Sequence, residues 1–326
     1  MKKTLIAVIL SAGLVNMSSA WADYIDSIVN KTMKYDLDDL SIPATVGAVT
    51  KWHDADSVQM HTTASSGTHS YMTFSVNGTL LGDGVTWATS NPGIGIQYQM
   101  NPNTIFGFTP NPNEQAPDYR MILNKTSDVN TTGYLHIYYR LIRLLEKVPA
   151  GKITTLPDIT VNAYNPDGEG AATLSQLVLS GLSTNIKTEA CGVNAPTEIK
   201  LSPLYGKDIQ TGALNVTDAQ TITLTNCPGA INGINYNFSA VYGTNGAAIG
   251  VLRTATGEGY AKEVYVQIQN ADGTPHTVNG AIKLEGYDGS GDYKLPDFKV
   301  AYYVYDPSIV TAGNVKSAIE IKVTYN

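Results

Sequence analysis

Four of the five histidines lie in the first half of the chain and are the side chains best suited to binding a metal ion: His53, His61, His69 and His136. Neutral imidazole nitrogens are common zinc ligands, and three of them can hold one ion. The candidate set is His61, His69 and His136. A continuous strand would put His61 and His69 on one face, whereas residues 65–67 (Ser-Ser-Gly) predict a turn between them. Because this spacing matches no metal-binding motif, we favour exposed or hydrogen-bonded histidines and no bound metal.

No residue pattern in the sequence predicts catalysis. The Gly-x-Ser-x-Gly, His-Glu-x-x-His and phosphate-binding loop motifs are absent, and so is any cysteine outside a single pair. An exported polysaccharide hydrolase, the alternative, would need two carboxylates facing each other across a cleft. The acids of the first half show no spacing that predicts such a pair: Asp54, Asp56, Asp83 and Asp118. We therefore predict a protein without enzymatic activity and without a cofactor.

Residues 288–292 (Asp-Gly-Ser-Gly-Asp) imitate the opening of a calcium-binding loop. Such a loop needs a glycine at its sixth position and a glutamate ligand at its twelfth. Tyr293 occupies the first of these positions and Lys299 the second. The segment is therefore predicted to be a hairpin turn.

Three polar stretches in the first half have the composition of a carbohydrate-binding surface: residues 52–56, 97–104 and 124–132. Asn, Asp, Thr and Gln side chains exchange hydrogen bonds with sugar hydroxyls, and an aromatic ring can cover an apolar sugar face. We expect these stretches to form shallow surface loops.

The first 22 residues have the features of an export signal. Lys2 and Lys3 precede an apolar run at residues 5–15, and residues 20–22 (Ala-Trp-Ala) form a small-x-small cleavage site. The run is too short for a transmembrane helix, which needs about 20 apolar residues. We predict that a bacterium exports the chain and that the mature protein begins at Asp23.

The chain has two cysteines, Cys191 and Cys227. In an oxidising compartment they can form one disulfide. Closing a loop of this size would stabilise the domain by about 4 kcal/mol through the entropy of the unfolded chain. A two-cysteine zinc site is the alternative.

The composition favours a β-rich globular protein displayed on a surface. Charged residues make up 15% of the 326 residues and hydrophobic residues 43%, which excludes a disordered or coiled-coil chain. The 30 glycines and 15 prolines predict many tight turns. With a formal net charge of -7 and no basic run, the chain lacks the electrostatic features of a nucleic-acid-binding protein.

The two halves of the chain differ in their turn-forming residues and special side chains. Both tryptophans of the mature chain lie before residue 180, and both cysteines lie after it. Residues 165–172 are rich in turn formers, and a polar segment follows. The predicted organisation is a signal peptide at 1–22, a first domain at 23–180, a linker at 181–189 and a second domain at 190–326.

Short alternating stretches predict strands in both halves. Residues 135–142 would carry four apolar side chains on one face, namely Leu135, Ile137, Tyr139 and Leu141. Residues 264–268 and 298–304 alternate in the same way, and Asp272-Gly273 is a hairpin turn signal. The recurrence of such stretches between turns predicts an all-β fold of two sandwiches.

The last fourteen residues carry the most specific pattern of the chain. Ile319, Ile321, Val323 and Tyr325 alternate with polar residues to the end, which predicts a half-buried strand available for pairing. A glycine fourteen residues from the end (Gly313), the alternation and the penultimate tyrosine resemble the chaperone-recognised terminus of chaperone-usher pilus subunits. With the early cysteine pair, this resemblance covers residues 188–326.

The resemblance implies an immunoglobulin-like pilin sandwich that lacks its last strand. A periplasmic chaperone, and later an extended segment of the adjacent pilus subunit, would supply the missing strand. An outer-membrane usher is the third implied partner. Ordinary pilus subunits consist of this one domain, whereas about 160 residues precede it here.

The two-domain layout resembles that of pilus tip adhesins, in which a lectin-like sandwich replaces the donor segment. The resemblance implies an immunoglobulin-like first domain that binds a host-cell glycan or glycoprotein at the fimbrial tip. A minor structural pilin or adaptor without sugar binding is the alternative.

Residues 129–136 resemble the loop and strand with which fimbrial tip lectins bind sugar. In that family, polar contacts come from the loop before a glycine, which would place them on Asn130 and Thr131. A second contact, acidic in the family, would fall near Asn103, where this sequence has no acid. The disulfide and neighbouring tryptophan of those lectin domains are absent as well.

Overall fold

The computed structural model describes residues 24–28, 31–64, 69–102, 109–110, 118–124, 129–164 and 176–326. The predicted signal peptide and Asn103 lie outside these ranges. Regular structure within them is β-strand apart from three short 3-10 helices, at Gly206–Asp208, Ala247–Ile249 and Pro307–Ile309. The prediction of an all-β fold is confirmed. No helix in the described ranges is long and apolar enough to cross a membrane.

The described part of the first half forms two sheets. Its strands are β1 (Tyr24–Ile28), β2 (Lys31–Tyr35), β3 (His53–Ala64), β4 (His69–Asn77), β5 (Trp87–Ala88), β6 (Ile94–Pro102), β7 (Thr109–Pro110), β8 (Asp118–Asn124), β9 (Val129–Arg143), β10 (Asp158–Tyr164) and β11 (Gln176–Leu182). One sheet has the order β1-β3-β9-β6-β5, and the other β2-β11-β10-β4-β8-β7. All pairings are antiparallel except that of β11 with β2.

These two sheets pack face to face through one apolar core. The long strand β9 buries Ile137, Tyr139 and Leu141, as its alternation predicts, and the second sheet contributes Phe74 and Ile159. Successive side chains of a strand point to opposite faces, so His136, Tyr138 and Arg140, which alternate with these buried residues, lie on the outer face of the first sheet. The first half is therefore a sandwich with one sheet face open to solvent.

Buried tyrosine hydroxyls tie the first sandwich together. The Tyr35 hydroxyl donates to the carbonyl of Pro157 at 2.6 Å and lies 2.8 Å from the hydroxyl of Tyr98. The Tyr139 hydroxyl donates to the Asp36 carbonyl at 2.5 Å and accepts from the Asp36 amide. Burial raises the pKa of all three phenols above the ordinary value, so they stay neutral and keep these bonds.

The second half contains eleven further strands in three sheets. They are β12 (Gly192–Asn194), β13 (Gly212–Asp218), β14 (Thr223–Cys227), β15 (Ile234–Ala240), β16 (Thr244–Gly246), β17 (Val251–Leu252), β18 (Tyr265–Asn270), β19 (Ile282–Lys283), β20 (Gly291–Lys294), β21 (Phe298–Val304) and β22 (Ile319–Tyr325). The sheet orders are β12-β14-β20, β13-β21-β18-β17-β16 and β19-β15-β22. Leu224, Phe238 and Phe298, one from each sheet, meet in a shared core.

The predicted strands of the second half are present, and one of them is buried on both faces. Strand β18 places Val266 and Ile268 in the core, and the intervening Gln267 and Gln269 are buried too. The amide of Gln267 donates to the Ile249 carbonyl, and the amide of Gln269 donates to the Gln267 side chain, each at 2.8 Å. Hydrogen bonding therefore offsets the cost of burying both amides.

The two halves meet through a segment that follows β9. Val148 is fully buried, its carbonyl accepts from the amide of Ser290 at 2.8 Å, and its amide donates to the Ser290 hydroxyl at 2.8 Å. The amide of Ala230 donates to the Pro149 carbonyl at 2.9 Å. A Cβ at Gly229 would lie 2.2 Å from the Val148 carbonyl oxygen, so only glycine fits there.

The segment that imitates a calcium loop belongs to this junction. Asp288 forms an ion pair with Lys147 at 2.5 Å and accepts a hydrogen bond from the Tyr293 hydroxyl at 2.9 Å. Both partners hold the pKa of the Asp288 carboxyl below its ordinary value. The aspartate thus serves as a contact between the halves.

The predicted linker contacts the first half over most of its length. The amide of Ser183 donates to the Tyr35 carbonyl at 2.9 Å, and the amide of Lys187 donates to the Leu40 carbonyl at 3.1 Å. Ile186 is buried in the core of the first sandwich. Contacts with the first sandwich therefore continue beyond the predicted boundary, to residue 187.

Candidate functional site

Strand β22 has the alternation that the sequence predicts. Ile319, Ile321, Val323 and Tyr325 are half-buried, whereas the residues between them are exposed. Ile321 lies opposite Phe238 of β15, and Val323 lies opposite Tyr236. Because a shift by one residue would turn the apolar row towards solvent, this pairing fixes the register of the strand.

The outer edge of β22 is open. The strand is terminal in its sheet, and in the described residues its only strand partner is β15. Its apolar side chains pack against the core of the second half but stay partly accessible, whereas Phe238 and Tyr236 of β15 are buried. An edge strand with unpaired backbone groups and a half-exposed apolar row is a template for pairing with another chain.

Other apolar side chains border the same core without belonging to a sheet. Ile199 and Leu201 pack, partly exposed, against the cluster that β22 covers, and their segment has no strand structure. An extended segment lying along β22 would therefore gain backbone hydrogen bonds and cover apolar surface at once. This is the chemistry of recognition by strand addition.

Gly313 lies outside strand β22, which begins at Ile319. The backbone here packs against Tyr260 and Ala261, and a Cβ on Gly313 would lie 2.4 Å from the Ala261 nitrogen. The neighbouring Asn314 pairs with Tyr260 in an isolated bridge. The glycine therefore allows a close backbone approach before the strand and is not one of its pairing residues.

Cys191 and Cys227 form a disulfide, as predicted. Cys227 ends β14, and Cys191 directly precedes β12, which pairs with β14. The bond therefore ties the start of the second domain to its neighbouring strand.

The predicted sugar contacts on Asn130 and Thr131 lie in strand β9 and not in a loop. They pair with Thr63 and Thr62 of β3, because β9 already begins at Val129. Their role in sugar binding stays a prediction, as does that of Asn103 outside the described residues.

The strand pairing does not bring the three histidines to one point. His61 lies opposite Thr132, so four residues of β9, or about 13 Å, separate this pair from His136. His69 belongs to β4 in the other sheet. The ring of His136 instead contacts Asp54, with Nδ1 2.9 Å from Oδ2. Among the side chains that the structure describes, no cluster of three metal-ligating groups is found.

Two of the three polar stretches lie on either side of β9. Residues 53–56 belong to β3, and residues 97–102 belong to β6, so the sheet order places both next to the same central strand. The expectation of loops is wrong for residues 53–56 and 97–102, because their backbones are hydrogen-bonded in the sheet. The sequence pattern missed Tyr138 and Arg140 of β9, which lie between them on the outer face.

Residues 181–326 match a family model described as fimbrial protein. No curated protein sequence matches the chain significantly. Among solved structures, the CupB6 tip adhesin from Pseudomonas aeruginosa is 16% identical, with a TM-score of 0.42, over 91% of this chain and 93% of that one. The receptor-binding domain of the Klebsiella pneumoniae adhesin MrkD1P is 14% identical, with a TM-score of 0.26, over 51% of this chain and 98% of that one.

Proposed function

From the premise that residues 181–326 are a fimbrial-protein domain, we propose that the chain is a tip adhesin of a chaperone-usher pilus. The second domain joins the pilus, and the first binds a glycan on a host cell. The protein acts by binding and carries out no chemical reaction. It reaches the fimbrial tip at the cell surface through the periplasm.

The observation that carries the assembly half of this proposal is the open edge of β22. A donated strand would pair with its free backbone groups and would cover the row formed by Ile319, Ile321 and Val323. The apolar surface that a donated strand would cover favours binding by about 25 cal/mol per Å², before the entropic cost of association is subtracted. The periplasmic chaperone would hold this edge first, and the neighbouring subunit would replace it after passage through the usher.

The presence of a complete additional sandwich supports the proposed role as an adhesin. The first half has its own two-sheet core, in which Trp87, Tyr35 and Phe74 are almost fully buried. A domain of this size is not needed for assembly, because the fimbrial domain already contains the open edge. The extra domain is therefore available for a receptor.

A minor structural subunit or adaptor is the second candidate, since the open edge of β22 would serve either role. The two candidates differ in where the protein lies and in what the first domain binds. An adhesin lies at the end of the pilus and binds glycan, whereas an adaptor contacts only other subunits.

Gold-labelled antibody against residues 31–64 on intact bacteria would separate these candidates, together with glycan binding by the full mature chain purified from the periplasm. We expect label at pilus ends and binding to a subset of mammalian glycans. Label along the shaft would identify a structural subunit, and terminal label without any glycan binding would identify an adaptor.

A further inference from the structure

The outer face of the first sheet carries a group of polar and aromatic side chains that we call the sheet-face cluster: Trp52, Asp54, His136, Tyr138 and Arg140. Asp54 of β3 and Gln99 of β6 lie opposite Tyr138 of β9, one on each side. The members of the cluster are exposed or half-exposed. The cluster thus spans neighbouring strands on the face that the core does not use.

Arg140 is held in place from two sides. Its guanidinium carbon lies 4.3 Å from the centre of the Trp52 ring, and its Nε donates to Oε1 of Gln97 at 2.9 Å. Gln97 is itself buried and donates to the hydroxyl of Thr86 at 2.8 Å, and Thr86 donates to Asp83 at 2.6 Å. This chain of hydrogen bonds fixes the guanidinium before any ligand arrives.

The fixed guanidinium has no carboxylate partner among the described residues. Among the described residues the Arg140 side chain takes part in no ion pair, and its only hydrogen bond uses Nε, which leaves the two terminal nitrogens for a ligand. A planar guanidinium binds a carboxylate through two parallel hydrogen bonds. In a chain with a net charge of -7, a positioned cation without an acidic partner indicates an anionic ligand group.

Beside the arginine lie groups suited to hydroxyls. Asp54 uses Oδ2 for His136, and no described residue donates to its other oxygen. The His136 ring stacks on Tyr138 with a centroid separation of 6.0 Å and an interplanar angle of 18°, which orients the phenol. A carboxylate oxygen and a phenol hydroxyl together provide the acceptor and the donor that vicinal sugar hydroxyls require.

We propose that the sheet-face cluster binds a terminal acidic sugar, that is, a sialic or hexuronic acid unit at the end of a host glycan. Arg140 binds the sugar carboxylate through its terminal nitrogens. Asp54 and Tyr138 exchange hydrogen bonds with the hydroxyls, and Trp52, which is 36% exposed, shields the arginine from water. The inference rests on the proposed adhesin function and names its site and ligand class.

Two pairs of probes would test the ligand class on the full mature chain: 3'-sialyllactose against lactose, and a glucuronate-terminated disaccharide against its glucose-terminated equivalent. We expect at least one acidic probe to bind about tenfold or more tightly than its neutral partner, because the neutral sugar leaves the guanidinium unpaired. Equal or stronger binding of the neutral partners would overturn the acidic class.

Three variants would test the site. Arg140→Lys keeps the charge but loses the bidentate and stacked geometry, so we expect affinity to fall about tenfold. Tyr138→Phe removes only one hydroxyl and should weaken binding several-fold without loss of fold. The matched control Lys34→Gln removes an exposed charge on the other sheet and should leave affinity unchanged.

The failures of the two proposals are distinguishable. Acid-selective binding that survives both Arg140→Lys and Tyr138→Phe would overturn the site while the adhesin function stands. Binding to neutral glycans alone would overturn the ligand class in the same way. Absence of binding to every glycan tested would overturn the adhesin function itself.

Discussion

The backbone amide of Cys191 donates a hydrogen bond of 2.6 Å to the hydroxyl of Tyr325. The first residue of the disulfide is thereby joined to the penultimate residue of the chain. The start of the second domain and the end of its open edge strand are thus held together, while the rest of that edge stays accessible. The tyrosine of the terminal signature therefore has a structural role within the second domain itself.

Tyr325→Phe should destabilise the second domain by about 1 kcal/mol, because the Cys191 amide loses its acceptor. Urea unfolding of the full chain would measure the change. Tyr205→Phe is the matched control, since Tyr205 is 63% exposed. A loss of stability no larger than that of the control would show that the amide finds water instead.

The register of β22 predicts opposite outcomes for two neighbouring positions. Val323→Asp places a charge on the apolar row opposite Tyr236, where desolvation disfavours it. We expect this variant to lose most chaperone capture and surface display. Lys322→Asp changes an exposed side chain whose contact is an ion pair with Glu320 at 3.4 Å, so capture should be largely retained.

Co-purification with the periplasmic chaperone and whole-cell labelling would measure both variants. Neither change should alter glycan binding by the full chain once it has been purified, because β22 and the sheet-face cluster lie in different domains. Equal effects of the two substitutions on chaperone capture would contradict the register.

The junction between the halves depends on a glycine. Gly229→Ala would push a methyl group against the carbonyl oxygen and Cβ of Val148, at 2.2 and 2.6 Å. We expect faster hydrogen exchange at Ala230, whose amide donates across the junction to Pro149. Gly206→Ala is the control, because a Cβ there meets nothing within 4 Å. Unchanged exchange in both variants would mean that the junction adapts at no cost.

Much of the fold could be predicted from short-range patterns. The alternation of Ile137, Tyr139 and Leu141 predicted the buried face of β9. The resemblance of the terminal residues to pilus subunits predicted a fimbrial domain, and a fimbrial family model matches residues 181–326. The buried face of β9 could be predicted because the side-chain period of a strand is fixed by its geometry, whereas the fimbrial domain was predicted by resemblance. The pairing of Cys191 with Cys227 was predictable because the chain has no other cysteine.

The sheet-face cluster could be predicted from the sequence only in part. Trp52 and Gln97 were within stretches selected for their composition, but the sequence does not show that β9 lies between them. Arg140 could not be recognised because its contacts with these residues span 88 and 43 positions of the chain, as the numbering gives. The alternation of residues 135–142 places Arg140 on the polar face of its strand. It gives no information on which distant residues the side chain contacts.

The last prediction concerns pH and rests on His276, which is 7% exposed. Its Nδ1 lies 2.7 Å from the side-chain oxygen of Asn270, and its Nε2 has no hydrogen-bond partner in the described structure. Burial lowers the pKa of this imidazole below its ordinary value of about 6.5. The unfolded chain therefore binds a proton at a higher pH than the native one does.

Above about pH 7 the imidazole is neutral in both states, so it should not lower the free energy of unfolding of the second domain. As the pH falls below about 6.5, the unfolded chain gains a proton that the native domain does not, and the free energy of unfolding should fall by up to about 1.4 kcal/mol per pH unit. His276→Gln, which retains an amide near Asn270, should flatten the dependence. Hydrogen exchange of peptides from β15 and β18 in urea at pH 5.0, 6.0 and 7.5 would measure the stability of this domain. Tryptophan fluorescence would not, because both tryptophans of the mature chain lie in the other half. An identical pH dependence in the wild type and the variant would contradict a neutral, buried His276.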